Sequence, residues 1–234
     1  RNRMEFKLKA LTPVWTGGVK GKNDKLHVTG IKGSIRWWYE VLIRSLGCDA
    51  CNPASKNGNE KCSFDTKSFQ KTKNLREELK KICPACNMFG CTGWSGKFNL
   101  RIKDEKGRIK TNQLDRKDQF LIEFIEIKQF DPAEISLLKI TLKLIVDYGA
   151  IGGKTIFKPS EIDYKNVLNY GEGRHYDYGV IGRSKDANGI DISKIPSGRI
   201  YYGDTKEMID GYLQDFTNKT YSEDWPDLRN FWFV

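Results

Sequence analysis

Histidine is almost missing from this chain. Only His27 and His175 occur among 234 residues, in unrelated surroundings, which excludes H-E-x-x-H and other sites built on several histidines. A lone histidine in a polar loop is usually a surface residue, and His27 reads that way rather than as a general base. No nucleophile elbow or paired-carboxylate constellation is present, and isolated acids such as Asp147 and Asp177 read as solvated or capping groups. Long apolar runs are lacking too. None approaches the roughly 20 residues that span a bilayer, and Arg1-Asn2-Arg3-Met4 has no apolar signal-peptide core. These absences predict a soluble, intracellular, cytoplasmic protein without catalytic activity, with Met4 as its native start. Acidic charge is in deficit. Against 40 Lys and Arg stand 30 Asp and Glu, a formal net charge of +10, which favours a polyanionic partner over an acidic one. Charge alone moves that choice only modestly, because a basic surface is often simply a solvated one.

Cysteine, by contrast, is concentrated. All six cysteines (Cys48, Cys51, Cys62, Cys83, Cys86 and Cys91) fall between Gly47 and Gly96. They include two C-x-x-C steps, Cys48/Cys51 and Cys83/Cys86. Such a step lets two thiolates converge on one ion while backbone amides point at the sulfurs, and tetrahedral zinc takes four N or S ligands. Clustering into C-x-x-C steps without a signal peptide favours reduced, metal-bound thiols over three disulfides. Four sulfur ligands leave no open position for water, so the zinc is expected to be structural, ordering the segment without performing chemistry. Symmetry of spacing prefers Cys48, Cys51, Cys83 and Cys86 as the ligands.

The rest of the chain alternates between two periods. Phe6, Leu8 and Ala10 against Lys7 and Lys9 predict a first strand over Glu5–Leu11. Pro13, Gly17 and Gly18 end it, and a basic loop with Lys20, Lys22 and Lys25 follows. From Gly33 to Leu46 the period is helical: Ile35, Trp38, Leu42 and Leu46 form an inward stripe, and Arg36, Glu40 and Arg44 repeat every fourth residue where they can pair. Lys32, Gly33, Ser34 and Arg36 would then occupy the helix N-terminus, where free N–H groups favour phosphate. Phe98, Leu100 and Ile102 give a second strand, Asp104–Gly107 a hairpin turn and Phe120–Phe130 a third strand. Asp131-Pro132-Ala133-Glu134 combines an N-cap, Pro at the first helical position and a capping-box Glu, predicting a helix to Tyr148. A glycine-rich loop, Gly149–Lys154, then feeds a strand over Thr155–Phe157. The order strand, helix, two strands, helix, strand predicts an α+β, ferredoxin-like or RRM-like βαββαβ domain over residues 1–158, with the cysteine-rich segment 47–96 inserted between first helix and second strand. Residues 159–234 read as a C-terminal extension, with a strand over Tyr176–Ile181 and a helix over Lys206–Phe216.

The glycine-rich loop lacks the G-x-x-x-x-G-K-[ST] spacing and runs from helix to strand, which rules out a P-loop. Two readings of Gly152, Gly153 and Lys154 stay open: a tight turn, or backbone amides approaching an RNA phosphate. Adjacent Trp37 and Trp38 on one helix cannot both face one core. Trp38 reads as packed, and Trp37 is available to a base or a neighbouring subunit.

Three segments together carry a family pattern: Thr12-Pro13 with Thr16-Gly17-Gly18, Ile31-Lys32-Gly33-Ser34-Ile35-Arg36-Trp37-Trp38, and Phe89-Gly90-Cys91-Thr92-Gly93-Trp94. The chain resembles the RAMP superfamily, most closely the first-subunit family of the Cmr complexes, the type III-B CRISPR effectors of antiviral defence. After the glycine loop it departs from that family, reading Ile156-Phe157-Lys158-Pro159, and a full second RAMP-like half is missing. The resemblance implies a non-catalytic subunit of a ribonucleoprotein that helps hold the guide RNA's 3′ region and its paired target RNA, beside other Cmr subunits. It also implies Cys51, Cys62, Cys83 and Cys86 as zinc ligands, leaving Cys91 a packed thiol and Cys48 an accessory one. The RNA contacts expected are Lys20, Lys22, Lys25, Lys32, Ser34, Arg36, Trp37, Lys97, Gly152, Gly153 and Lys154. Two rivals remain: a RAMP-type endoribonuclease that processes guide RNA, and a zinc-stabilised adaptor that touches only proteins.

Overall fold

A computed structural model describes residues 2–17, 22–56, 58–153, 179–183 and 204–216 of the chain. Among the described residues, ten α-helices and strands follow one another: β1 (Arg3–Ala10), α1 (Val28–Ser45), α2 (Thr66–Thr72), α3 (Leu75–Leu79), α4 (Pro84–Phe89), β2 (Phe98–Asp104), β3 (Gln119–Glu126), α5 (Pro132–Tyr148), β4 (Ile181–Arg183) and α6 (Asp204–Gln214). The fold is mixed α+β around a four-stranded antiparallel sheet in the order β2-β3-β1-β4.

Two compact units divide the chain. The first, Arg1–Ile35 with Leu100–Ile125 and Leu142–Ile195, holds most of the sheet. Antiparallel pairing of β1 with β3 sets Phe6 opposite Ile122 and Leu8 opposite Phe120, and all four side chains are fully buried. The alternation read in the sequence is thus the inward face of β1, with Phe6 edge-on to Phe124 at 5.8 Å. Burying Phe6 and Leu8 contributes about 1.5–3 kcal/mol each before the entropy of ordering them is subtracted. On the other face Lys103 ties Glu5 (2.8 Å) to the buried Glu123 (2.7 Å). The other neighbour of β1 is β4, with Ala10 opposite Ile181. That edge strand adjoins the end of the stretch read as a strand over 176–181. The strand expected at Thr155–Phe157 lies outside the described residues.

Arg36–Asn99, Glu126–Thr141 and Pro196–Val234 make the second unit. Its core includes Trp38, Tyr39, Phe89, Phe98 and Leu138. Phe89 stands edge-on to both Tyr39 (5.3 Å) and Phe98 (5.2 Å). The start of α5 forms as its residues dictate. Asp131 Oδ1 accepts from the Ala133 N–H at 2.8 Å, and Glu134 Oε2 reaches back to the Asp131 N–H at 2.8 Å.

One boundary is corrected. Helix α1 begins at Val28, not at Gly33. A helix leaves N–H groups unpaired only in its first turn, so Lys32, Gly33, Ser34 and Arg36 do not stand at a helix N-terminus. Phosphate affinity argued from the dipole end does not apply to them.

Candidate metal centre and glycine loop

The second unit brings four sulfurs together. The Sγ atoms of Cys51, Cys62, Cys83 and Cys86 all lie within 4.8 Å of one another, and all four residues are buried. Four thiolates about 2.3 Å from one tetrahedral zinc would sit about 3.8 Å apart, so this donor set can hold a metal ion. Cys48, which symmetry of spacing would have chosen, is elsewhere, with Sγ 3.9 Å from the Leu213 carbonyl. Cys91 is half-buried, its Sγ 3.6 Å from the Thr92 carbonyl oxygen.

Local sequence explains how each sulfur arrives. Cys83 is the N-cap of α4, with Pro84 at the first helical position, and its Sγ accepts from the Cys86 N–H at 3.4 Å. This is a thiol taking the place of the capping oxygen. The Cys51 N–H also points at Cys83 Sγ (3.5 Å), and the Cys83 N–H at Cys62 Sγ (3.2 Å). Cys62 is carried in by long-range pairing: Phe64 donates its N–H to the Thr92 carbonyl at 2.8 Å. The turn it pairs with needs Gly93, at φ +80°, where a Cβ would come within 2.5 Å of the Phe64 carbonyl oxygen. Trp94 anchors the same turn by donating to the Asn87 carbonyl at 2.8 Å, and Lys128 sits 3.7 Å over its ring. Hydrogen bonds from Cys51, Cys83 and Cys86 hold the Cys62 thiol well below the ordinary thiol range.

Arg36 reaches this cluster. Its guanidinium donates to Cys86 Sγ (3.2 Å), to the Gly90 carbonyl (2.7 Å) and to Glu40 Oε1 (2.7 Å). Burial opposes its charge, but Glu40, Cys86 and Cys51 outweigh burial and raise its pKa. Arg36 is therefore engaged inside the unit, a use that the expected phosphate contact missed.

Lys97 is similarly committed. It pairs at 2.8 Å with Glu134, which is fully buried and also accepts from Asn87 (2.9 Å) and Tyr212 (2.7 Å). The sequence singles out Glu134 only as a capping-box residue, and nothing in the spacing marks Asn87 or Tyr212 as its partners. Trp37 is half-buried and edge-on to Trp38 at 5.2 Å.

In the first unit, Ser34 meets the glycine loop. Its hydroxyl donates to the Gly152 carbonyl at 2.8 Å and accepts from the Gly152 N–H at 2.9 Å. Gly152 has φ +107°, and a Cβ there would lie 2.3 Å from the Trp15 carbonyl oxygen, so backbone meets backbone too closely for any side chain. Gly153 donates to that same carbonyl at 3.1 Å. Ser34, Gly152 and Gly153 are thus brought together, but as a closed turn whose N–H groups already have acceptors. Lys22 and Lys25 are exposed and Lys32 is half-buried. Lys20 and Lys154 lie outside the described residues, as does His175. His27 pairs with Asp24 at 3.3 Å. Among the described residues no helix is long and apolar enough to cross a membrane.

A family model described as the RAMP superfamily matches residues 7–157. No curated protein matches the chain. Among solved structures, the apo crystal structure of Cmr1 from Pyrococcus furiosus aligns with 14% identity and a TM-score of 0.36. The alignment covers 70% of this chain and 53% of that one, so the chain spans about half the length of that protein.

Proposed function

This chain belongs to the RAMP superfamily, and on that premise we propose that it is a non-catalytic RNA-binding subunit of a type III-B CRISPR effector ribonucleoprotein. In this reading it lies in the cytoplasm with other Cmr subunits and helps hold the 3′ region of the guide RNA and its paired target in antiviral defence. The observation that carries the reading is the family match over residues 7–157. Supporting it are a net charge of +10 and the exposed Lys22 and Lys25, which suit a phosphate backbone. The sheet order β2-β3-β1-β4 supports a ferredoxin-like arrangement with 47–96 as its insertion, in which the fourth strand, Ile181–Arg183, is supplied from the 159–234 region.

The metal of this reading is zinc, held by Cys51, Cys62, Cys83 and Cys86. Bound there it would order the insertion and perform no chemistry, since four sulfurs fill its coordination. The chain's own residues do the remaining work. Cys83 caps α4 and aims Cys86, while Ser34 fixes the glycine loop.

Binding of labelled guide RNA by the purified protein, titrated with salt, tests the proposal. The expected outcome is affinity that falls steeply and linearly in log[salt], with the RNA left intact. Absent or salt-independent binding would defeat it. Specific cleavage of a guide precursor that His27→Ala abolishes would instead make the protein a RAMP-type endoribonuclease.

A further inference from the structure

Arg36, Glu40 and Arg44 stand one helical turn apart on α1, and in the second unit they form a continuous charged row. Glu40 is 3% exposed and accepts from Arg36 at 2.7 Å through Oε1, with Arg44 3.9 Å from its Oε2. Each arginine also touches a different part of the cysteine cluster. Arg36 donates to Cys86 Sγ (3.2 Å) and to the Gly90 carbonyl just beyond it (2.7 Å). Arg44 donates to the Ala50 carbonyl (3.0 Å) and the Cys51 carbonyl (3.5 Å).

A buried arginine–carboxylate–arginine row is not, on average, more stabilising than apolar side chains of the same volume. Stability by itself therefore does not account for it. Charge does: a divalent ion in four thiolates carries a net charge of −2, while two arginines and one carboxylate carry +1. Arg36 directs its positive charge straight at one of these sulfurs, at 3.2 Å from Cys86 Sγ, and Arg44 adjoins the Cys51 backbone.

We infer that the Arg36–Glu40–Arg44 row is the outer cradle of the metal centre. Arg36 and Arg44 hold Cys86 and the Cys51 backbone in ligating position and offset the charge of the thiolate-bound metal, and Glu40 keeps the two guanidinium groups in register. The inference rests on the metal reading of Cys51, Cys62, Cys83 and Cys86, and it removes Arg36 from the RNA contacts. Arg36 bonds three acceptors through three nitrogens of one plane, a geometry that the single ammonium of lysine does not reproduce.

The test uses the full chain loaded with zinc or cobalt(II), as wild type, Arg36→Lys, Arg36→Gln and Arg44→Lys, each checked for native circular dichroism. Zinc affinity is read by competition with a chromophoric chelator. The expected result for Arg36→Lys is a loss of roughly 10- to 100-fold, with a shifted sulfur-to-cobalt charge-transfer band over an unchanged tetrathiolate envelope. Arg44→Lys gives a smaller loss in the same direction and stands in should an Arg36 variant not fold. In parallel, Arg36→Gln leaves the salt slope of RNA binding unchanged. Wild-type zinc affinity and an unshifted band in Arg36→Lys would overturn the inference while leaving the metal site standing. A salt slope reduced by about one in Arg36→Gln at full zinc affinity would return Arg36 to the phosphate. Failure of the wild type to take up either ion overturns the metal reading and this inference with it.

Discussion

Cys62 Sγ accepts from the Cys83 N–H at 3.2 Å and lies within 4.8 Å of three other sulfurs, whereas Cys48 Sγ lies 4.0 and 3.9 Å from the Asp49 and Leu213 carbonyls. Both residues are buried, and their roles differ accordingly. Cys62→Ser is expected to abolish stoichiometric zinc in the purified protein, measured by mass spectrometry of the metal, while Cys48→Ser keeps it. Full zinc in Cys62→Ser would sink the ligand set. Cys48 has a consequence of its own at alkaline pH. Burial, helped by Asp49, pushes its thiol up to about 12. The folded protein keeps a proton that the unfolded chain releases at about pH 8.5. The contribution is thus whole below that pH and is lost as the pH rises toward 12. Cys48→Ala is expected to flatten the fall in urea stability between about pH 8.5 and 10, and an unchanged slope would show that the thiol does not titrate with folding. The spacing of cysteines could not separate these two residues. Cys62 reaches the cluster through the pairing of Phe64 with Thr92, a long-range contact that spacing does not encode, and the family resemblance alone pointed to it.

Among the elements, α1 shows where periodicity reads well and where it misleads. Its inward positions Ile35, Trp38 and Leu42 are buried as the stripe requires, whereas Leu46, the fourth position of the stripe, falls just past the helix end and is half-buried. Its start was misplaced because Gly30 and Gly33 interrupt the first turns with weak helix formers, so the apolar pattern becomes clear only after the helix is under way. The row Arg36, Glu40, Arg44 was visible as spacing, but nothing in that spacing told which partner it faced. The glycine loop joins α1 through Ser34, and two substitutions measure that joint. Gly152→Ala would place a Cβ against the Trp15 carbonyl oxygen at φ +107°, and is expected to cost at least about 1–3 kcal/mol in urea unfolding. Ser34→Ala leaves the Gly152 N–H and carbonyl without their hydroxyl partner, with an expected cost of about 1–3 kcal/mol. If both variants unfold at the wild-type midpoint, the loop is not held this way. A large loss of RNA affinity with stability intact would instead revive the open reading in which the loop's amides meet phosphate.

For the molecule as a whole, the alternation of β1 and the capping box at Asp131 made the mixed α+β architecture legible, since both follow from local physics that survives in the folded chain. The RNA surface was less so, because a basic residue reads alike whether it is solvated or internally paired. Lys97 shows the difference: its ammonium is held by the buried Glu134 at 2.8 Å, where releasing it to a phosphate would leave a buried carboxylate uncompensated. Lys22 and Lys25 are exposed and carry no such cost. If the net charge of +10 acts through this loop, Lys22→Gln and Lys25→Gln should each weaken RNA binding about equally across sequences. Each should also lower the salt slope by roughly one, and the double variant by about two, because phosphate contacts well apart on a strand release counterions independently. Lys97→Gln should leave the slope unchanged and instead lower stability, by stranding Glu134. A salt slope indifferent to Lys22 and Lys25 but reduced by Lys97→Gln would mean that Lys97 leaves its buried partner for the RNA, and would place the strand against the second unit instead of the loop that follows β1.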